Sequence, residues 1–387
     1  MRIANIILIA AFMMGSVPAF THAPSQPDDE AIVRAVADEF IRDGRLEAVS
    51  IGVTIDGEPI TVHRGPLYRD AAAPADDDTI FEIRSITKTF VGTLAAQAVL
   101  DGKLSWNEDI RTYLGPGFEN LEKDGHPILI RHLLTHTSGL PSNNPIAEED
   151  ANTDSQADAA GLDWRTFERT ELGMTREAFF ANLAGFELAS IPGEQFLYSN
   201  LGTNLTALIL ERVYQKSLDE LVDQFILTPA GMEDTALNMR DPRVTGRVAS
   251  GYNAIGERVP PWLVWPLGGA EGGAKATVPD TVRYMAFQLD NRNPAAQLSQ
   301  VPLYEIAWDY RIASSWWAIE RPQGSLTFRH DGGYANVRNV MILFPQDDLG
   351  IYAVTNRVTP EANGVLSELV YRVRAELVAA REGAEQD

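Results

Sequence analysis

The stretch Phe81-Glu82-Ile83-Arg84-Ser85-Ile86-Thr87-Lys88-Thr89-Phe90-Val91-Gly92-Thr93-Leu94-Ala95-Ala96-Gln97-Ala98-Val99-Leu100-Asp101-Gly102 decides the reading of this chain. From Thr87 to Leu100 the apolar residues Phe90, Val91, Leu94, Ala95, Ala98 and Val99 cover much of a helix circumference, which predicts a buried helix ending at Asp101-Gly102. At its start stands Ser85-Ile86-Thr87-Lys88, the only Ser-x-x-Lys of the sequence. Three residues of helix bring the hydroxyl and the amine to one face. A lysine there can take the hydroxyl proton when it is neutral, and burial and the positive helix N-terminus both favour that form. A lone Ser-x-x-Lys arises by chance often enough to need company.

On the N-terminal side, Ala31 to Arg45 carries apolar residues at helical spacing. Ala48 to Ile55 and Ile60 to His63 then flank the turn formers Asp56-Gly57-Glu58-Pro59, a hairpin signature. The middle, from about 105 to 290, reads as helices and long loops, including Glu177 to Leu183 and Leu201 to Tyr214. Strand-like runs return at Trp308 to Ile319, Leu326 to His330, Val337 to Phe344 and Gly350 to Thr355, before a last helix from about Ala362 to Ala379. This order predicts an α+β fold, an α/β sandwich whose antiparallel sheet joins N- and C-terminal segments, is flanked by helices and receives an inserted, mostly helical subdomain. The acidic stretch Asn143 to Glu171 has little periodicity, and a long loop of that kind is functional or disordered.

Two further elements accompany the tetrad. Tyr198-Ser199-Asn200 follows Ile191-Pro192-Gly193-Glu194 and precedes an apolar helix, where a loop tip can present polar groups. A phenol of lowered pKa can relay a proton there, and an amide can orient both the lysine and a substrate carbonyl. His330-Asp331-Gly332-Gly333 ends a strand-like run, and paired glycines permit close backbone approach and an N–H for an oxyanion hole.

These three elements in this order, with Arg131-His132-Leu133-Leu134-Thr135-His136-Thr137-Ser138-Gly139-Leu140, resemble the serine β-lactamase and penicillin-binding-protein family in its class C and D-alanyl-D-alanine carboxypeptidase branch. The likeness covers about residues 30 to 375. It implies the β-lactamase/transpeptidase-like fold, with Ser85 as acylated nucleophile, Lys88 as neighbouring base, Tyr198 as catalytic tyrosine and Asn200 as active-site amide. His330, Gly332 and Gly333 would border the substrate, and the N–H groups of Ser85 and Gly333 would form the oxyanion hole. The chain departs from the family at the third motif, where β-lactamases usually carry Lys-Thr-Gly. His330-Asp331-Gly332 puts peptidase, amidase or esterase chemistry ahead of β-lactam hydrolysis. An inward Asp331 would repel a substrate carboxylate and attract an amine, whereas an outward one would do neither. Arg338 is a candidate carboxylate partner outside this core set. A non-catalytic penicillin-binding or peptidoglycan-sensing protein on the same fold is the alternative.

Composition sets the remaining bounds. With 45% hydrophobic and 22% charged residues, the 387-residue chain has the balance of a soluble globular protein. Met1-Arg2 and the apolar run Ile3 to Val17 read as a secretory signal over residues 1–23, cleaved after Ala19 or Ala23, which places the protein in the periplasm or outside the cell. The other reading of that run, an uncleaved anchor, meets a segment shorter than the ~20 residues a bilayer needs, so no stable membrane insertion is expected once the signal is removed. One catalytic domain is expected over residues 28–380, with the sheet from about 28–80 and 300–380 and the helical subdomain from about 85–290. The absence of cysteine excludes disulfides and thiolate sites. A net charge of −22 excludes nucleic acid and anionic membrane as partners, leaving a small-molecule or peptide substrate. No cofactor and no metal are expected, because His132 and His136 have no third ligand at helical spacing. Gly268 to Lys275 reads as a loop bordering the cleft rather than a phosphate loop, and Trp262, Trp265, Trp316 and Trp317 as core aromatics ahead of a substrate platform.

Overall fold

The computed structural model describes residues 27–143, 175–262, 269–321 and 324–384. The expected signal peptide, all of the acidic stretch 143–171 except Asn143, and Trp265 lie outside these residues. Among the described residues no helix is long and apolar enough to cross a membrane.

The hairpin forms as its turn residues dictate. β1 (Val49–Ile55) and β2 (Glu58–Arg64) pair antiparallel through Asp56 and Gly57, which both take positive φ, the backbone of a type I′ turn. Six strands come from the C-terminal part: β3 (Tyr304–Ala307), β4 (Tyr310–Ile312), β5 (Trp317–Glu320), β6 (Leu326–Tyr334), β7 (Val337–Phe344) and β8 (Leu349–Thr355). The order is β2-β1-β8-β7-β6-β5-β4-β3, antiparallel throughout, and the β1–β8 ladder joins the two ends of the chain. The run Trp308 to Ile319 is not the single strand its composition suggests. Ser315 turns left-handed at φ 63°, and Ile312 is brought opposite Trp317 as a second hairpin.

Five helices carry the core and the site: α1 (Pro27–Arg42), α2 (Thr87–Leu100), α3 (Asn200–Tyr214), α4 (Val278–Leu289) and α5 (Ala362–Ala384). The strand period of two divides β7 between two cores. Val340, Ile342 and Phe344 face Leu366, Leu369, Val370 and Val373 of α5 and Val33, Val36 and Phe40 of α1. Met341 and Leu343 face the larger core that contains α2 and α4. Although α4 lies inside the segment expected to be the helical subdomain, its Val278, Val282 and Met285 are buried at helical spacing and it packs on β1 and β8. It is therefore a cover of the sheet, and the helical insertion ends before it. α2 is buried on nearly every side, between α3 and the segment Pro294–Ser299. Removing apolar volume from a two-sided sheet leaves a cavity that packed neighbours cannot fill. Ile342→Ala is expected to cost about 2–5 kcal/mol, read as a lower denaturant midpoint at unchanged slope.

Candidate active site

A short strand, Ile80–Glu82, leads into a 3-10 turn at Arg84–Ile86 that runs directly into α2. Arg84 takes φ 52°, a strained conformation for a residue with a side chain, and the kink turns Ser85 toward an open cavity of about 270 Å3. Lys88, one helical turn on, is completely buried. Its Nζ donates to Ser85 Oγ at 3.1 Å and to the carbonyl of Glu271. Burial pushes its pKa down to about 7, helped by the Arg84 charge and opposed by that of Glu271. The predicted condition for a lysine base, neutrality near pH 7, is met mainly by desolvation.

Tyr198 ends the loop ahead of α3, where the Ser199 hydroxyl caps the helix by accepting from Gly202 N at 3.0 Å. Its hydroxyl is hydrogen-bonded to Ser85, and its ring centroid lies 5.2 Å from Lys88 Nζ. Its pKa is raised by burial, not lowered as the sequence reading supposed, so Tyr198 serves as a neutral O–H donor. His136 positions it, with the rings 4.3 Å apart, while His136 Nδ1 accepts from Ser199 N at 3.2 Å. Asn200 lines the cavity, but its amide donates to Asn143 Oδ1 at 2.8 Å; the groups orienting Lys88 are Ser85 and Glu271.

The paired glycines lie on β6, opposite Asn339 and Arg338 of β7. β5 pairs with β6 only from Leu326 to Arg329, so beyond Arg329 that edge of β6 has no strand partner among the described residues and packs beside the nucleophile turn. A Cβ on Gly332 would stand 2.3 Å from Ile83 O, and one on Gly333 2.8 Å from Arg338 Cδ. Glycine is therefore what admits the strand to Ser85 and lets Arg338 lie across it. Arg338 borders the cavity and donates to Val337 O at 3.0 Å and to Tyr334 O.

His330 is a correction to the expected set. It is buried and does not line the cavity, and its Nδ1 pairs with Asp331 O at 2.8 Å. Burial and the Lys88 charge push its pKa down to about 3, so it is a neutral wall behind the lysine. Asp331 does reach the cavity, but Arg329 grips its carboxylate through two hydrogen bonds of 2.7 and 2.6 Å, and the pair neutralises the charge expected to sort substrates.

Several residues outside the expected catalytic set also line the cavity. The Arg84 guanidinium is held between the rings of Trp262, at 4.2 Å, and Tyr334, at 4.4 Å, with Glu82 at 3.3 Å. Trp262 thus borders the site, while Trp316 is core. Glu271 also lines the cavity, its carboxylate accepting from Asn204 Nδ2 at 2.8 Å. It stands in the glycine-rich segment expected to border the cleft, which does so as a short helix, Gly269–Gly272, rather than as a loop.

The family model described as Beta-lactamase matches residues 33–374. A beta-lactamase of Providencia stuartii is 24% identical over 296 residues, 75% of this chain and 66% of its own length. Protein flp of Staphylococcus aureus (strain N315) is 25% identical over 342 residues, 85% of this chain and 63% of its own. The chain thus spans a little under two thirds of the length of these curated relatives. The solved beta-lactamase/D-alanine carboxypeptidase from Pseudomonas syringae superposes with a TM-score of 0.73 at 20% identity, covering 90% of this chain and 99% of that one.

Gly332→Ala is expected to push β6 away from Ser85. The change should lower stability by about 1–3 kcal/mol, the usual cost of overpacking, and slow fluorophosphonate labelling of Ser85 in the variant that remains folded.

Proposed function

The chain belongs to the β-lactamase family, and from that premise we propose that it is a serine hydrolase cleaving an amide or ester through an acyl-enzyme on Ser85. The observation that carries this reading is the buried Lys88 Nζ at 3.1 Å from Ser85 Oγ, with its pKa pushed down to about 7, at the wall of an open cavity.

In this scheme neutral Lys88 takes the Ser85 proton as Oγ attacks the substrate carbonyl, and the N–H groups of Ser85 and Gly333 receive the developing oxyanion. Tyr198, a neutral phenol in contact with Ser85, passes a proton to the leaving group and recovers one from Lys88. Asn200 borders the acyl group from the start of α3. The substrate is a small molecule or peptide. Peptidase, amidase and esterase action accord with His330-Asp331-Gly332 in place of Lys-Thr-Gly. β-Lactam hydrolysis is a second reading, favoured by the name of the Providencia relative and by the Asp331–Arg329 pair, which removes the repulsion a penicillin carboxylate would otherwise meet. The open cavity above Ser85 supports a hydrolase over a purely structural or sensing protein on this fold. Export to the periplasm or beyond, through residues 1–23, belongs to the same proposal.

Intact-mass spectrometry with a fluorophosphonate, a fluorescent penicillin and p-nitrophenyl esters tests the scheme. Labelling and turnover should vanish in Ser85→Ala, and label or turnover that persists in that variant would refute it. Because Lys88 must be neutral, kcat/KM should rise with pH up to about 7 and level off above it. Lys88→Arg, which stays charged at every accessible pH, should lose about 10²–10⁴ of the rate.

A further inference from the structure

Water that releases the acyl group must enter from the cavity and lose a proton to a base that faces it. Lys88 is fully buried behind Ser85 and does not line the cavity. Tyr198 is held as a neutral phenol, a poor base. His136 and His330 are buried off the cavity, and the Asp331 carboxylate is occupied by Arg329. Among the described residues, two acids border the cavity, Asp331 and Glu271, and of the two Glu271 has no ion-pair partner in contact.

The position of Glu271 is built. Its carbonyl holds Lys88 Nζ, one contact from Ser85 Oγ, and Asn204 of α3 fixes its carboxylate. Around it stand Arg84 and Lys88 from the nucleophile turn and α2, Tyr198 ahead of α3, and Asp331 with Arg329 on β6, with His136 and His330 beyond Lys88. Burial raises its carboxyl pKa, against the pull of Lys88 and Arg84, and so makes the carboxylate a better proton acceptor.

We propose that Glu271 is a second catalytic base of this site, committed to the hydrolytic half of the reaction. The proposal rests on the acyl-enzyme reading above. Water oxygen bonds to the acyl carbon while its proton passes to the Glu271 carboxylate. The C–Oγ bond then breaks, its electron pair returns to Ser85, and the proton held by Glu271 returns through cavity water to Oγ, with Lys88 neutral throughout. Water and acyl-enzyme become free carboxylic acid and regenerated serine, with Glu271 and Lys88 back in the protonation states in which they began.

Glu271→Gln keeps both the carbonyl that holds Lys88 and an oxygen for Asn204. With p-nitrophenyl acetate it should release a burst of one equivalent of nitrophenol at close to the wild-type rate, then turn over about 10²-fold more slowly, with the acetylated Ser85 seen by intact mass. Formation of the adduct itself reports a folded site. Steady turnover equal to wild type, or acylation and deacylation falling together, would overturn the assignment. If Glu271→Gln forms no adduct, Glu271→Asp decides: an accumulating adduct supports the role, and its absence places Glu271 in acylation. A wild-type protein that forms no adduct with any ester would instead overturn the hydrolase reading, and this one with it.

Discussion

The site is organised around a single amine taken out of water. Lys88 Nζ is enclosed by α2, the short helix Gly269–Gly272 and Ser85, and a charged ammonium there has lost its hydration for two hydrogen bonds. The protein lowers that cost by letting the lysine give up its proton near neutrality, which is the form a base needs. Much of the surrounding architecture serves this burial. α2 is buried on nearly every side because it is the floor of the site, and α3 covers it while presenting Tyr198 and Asn200 at its start. Neutral His136 and His330 close the remaining sides without adding charge.

A second constraint is distance between backbones. The edge of β6 has to reach the nucleophile turn, and a side chain at 332 would collide with the Ile83 carbonyl. The sheet supplies the rigidity for that approach, since β7 is packed on both faces and fixes β6 through seven paired positions from Phe328 to Tyr334. Strain at Arg84 is tolerated for a similar reason. Two aromatic faces and Glu82 hold the guanidinium, so the turn that aims Ser85 cannot relax without losing those contacts.

The charges of Asp331 and Arg84 at the cavity are balanced locally. Asp331 is matched by Arg329, which also donates to Ser367 of α5 at 2.9 Å, and Arg84 is matched by Glu82. The net charge of −22 therefore says nothing about the polarity a substrate meets.

The sequence by itself determined the elements and the chemistry that local order can encode. The span of α2, the first hairpin, β7 and the juxtaposition of Ser85 with Lys88 follow from periodicities of 3.6 and 2.0 and from turn residues, all properties of neighbours along the chain. The pairing of β1 with β8, the transfer of α4 to the sheet and the split of Trp308 to Ile319 into a hairpin depend on partners hundreds of residues away or on a single left-handed residue. The same holds for the side-chain roles that changed. Whether Tyr198 is acidic, that His330 is buried near Lys88 and that Glu271 borders the nucleophile are decided by burial and by contacts across the fold, whereas the Asp331–Arg329 pair is a same-face contact two residues apart on β6 that the strand period alone allows. A pKa or an ion pair measures the dielectric and the charges around a group, and only the tertiary structure assembles those surroundings.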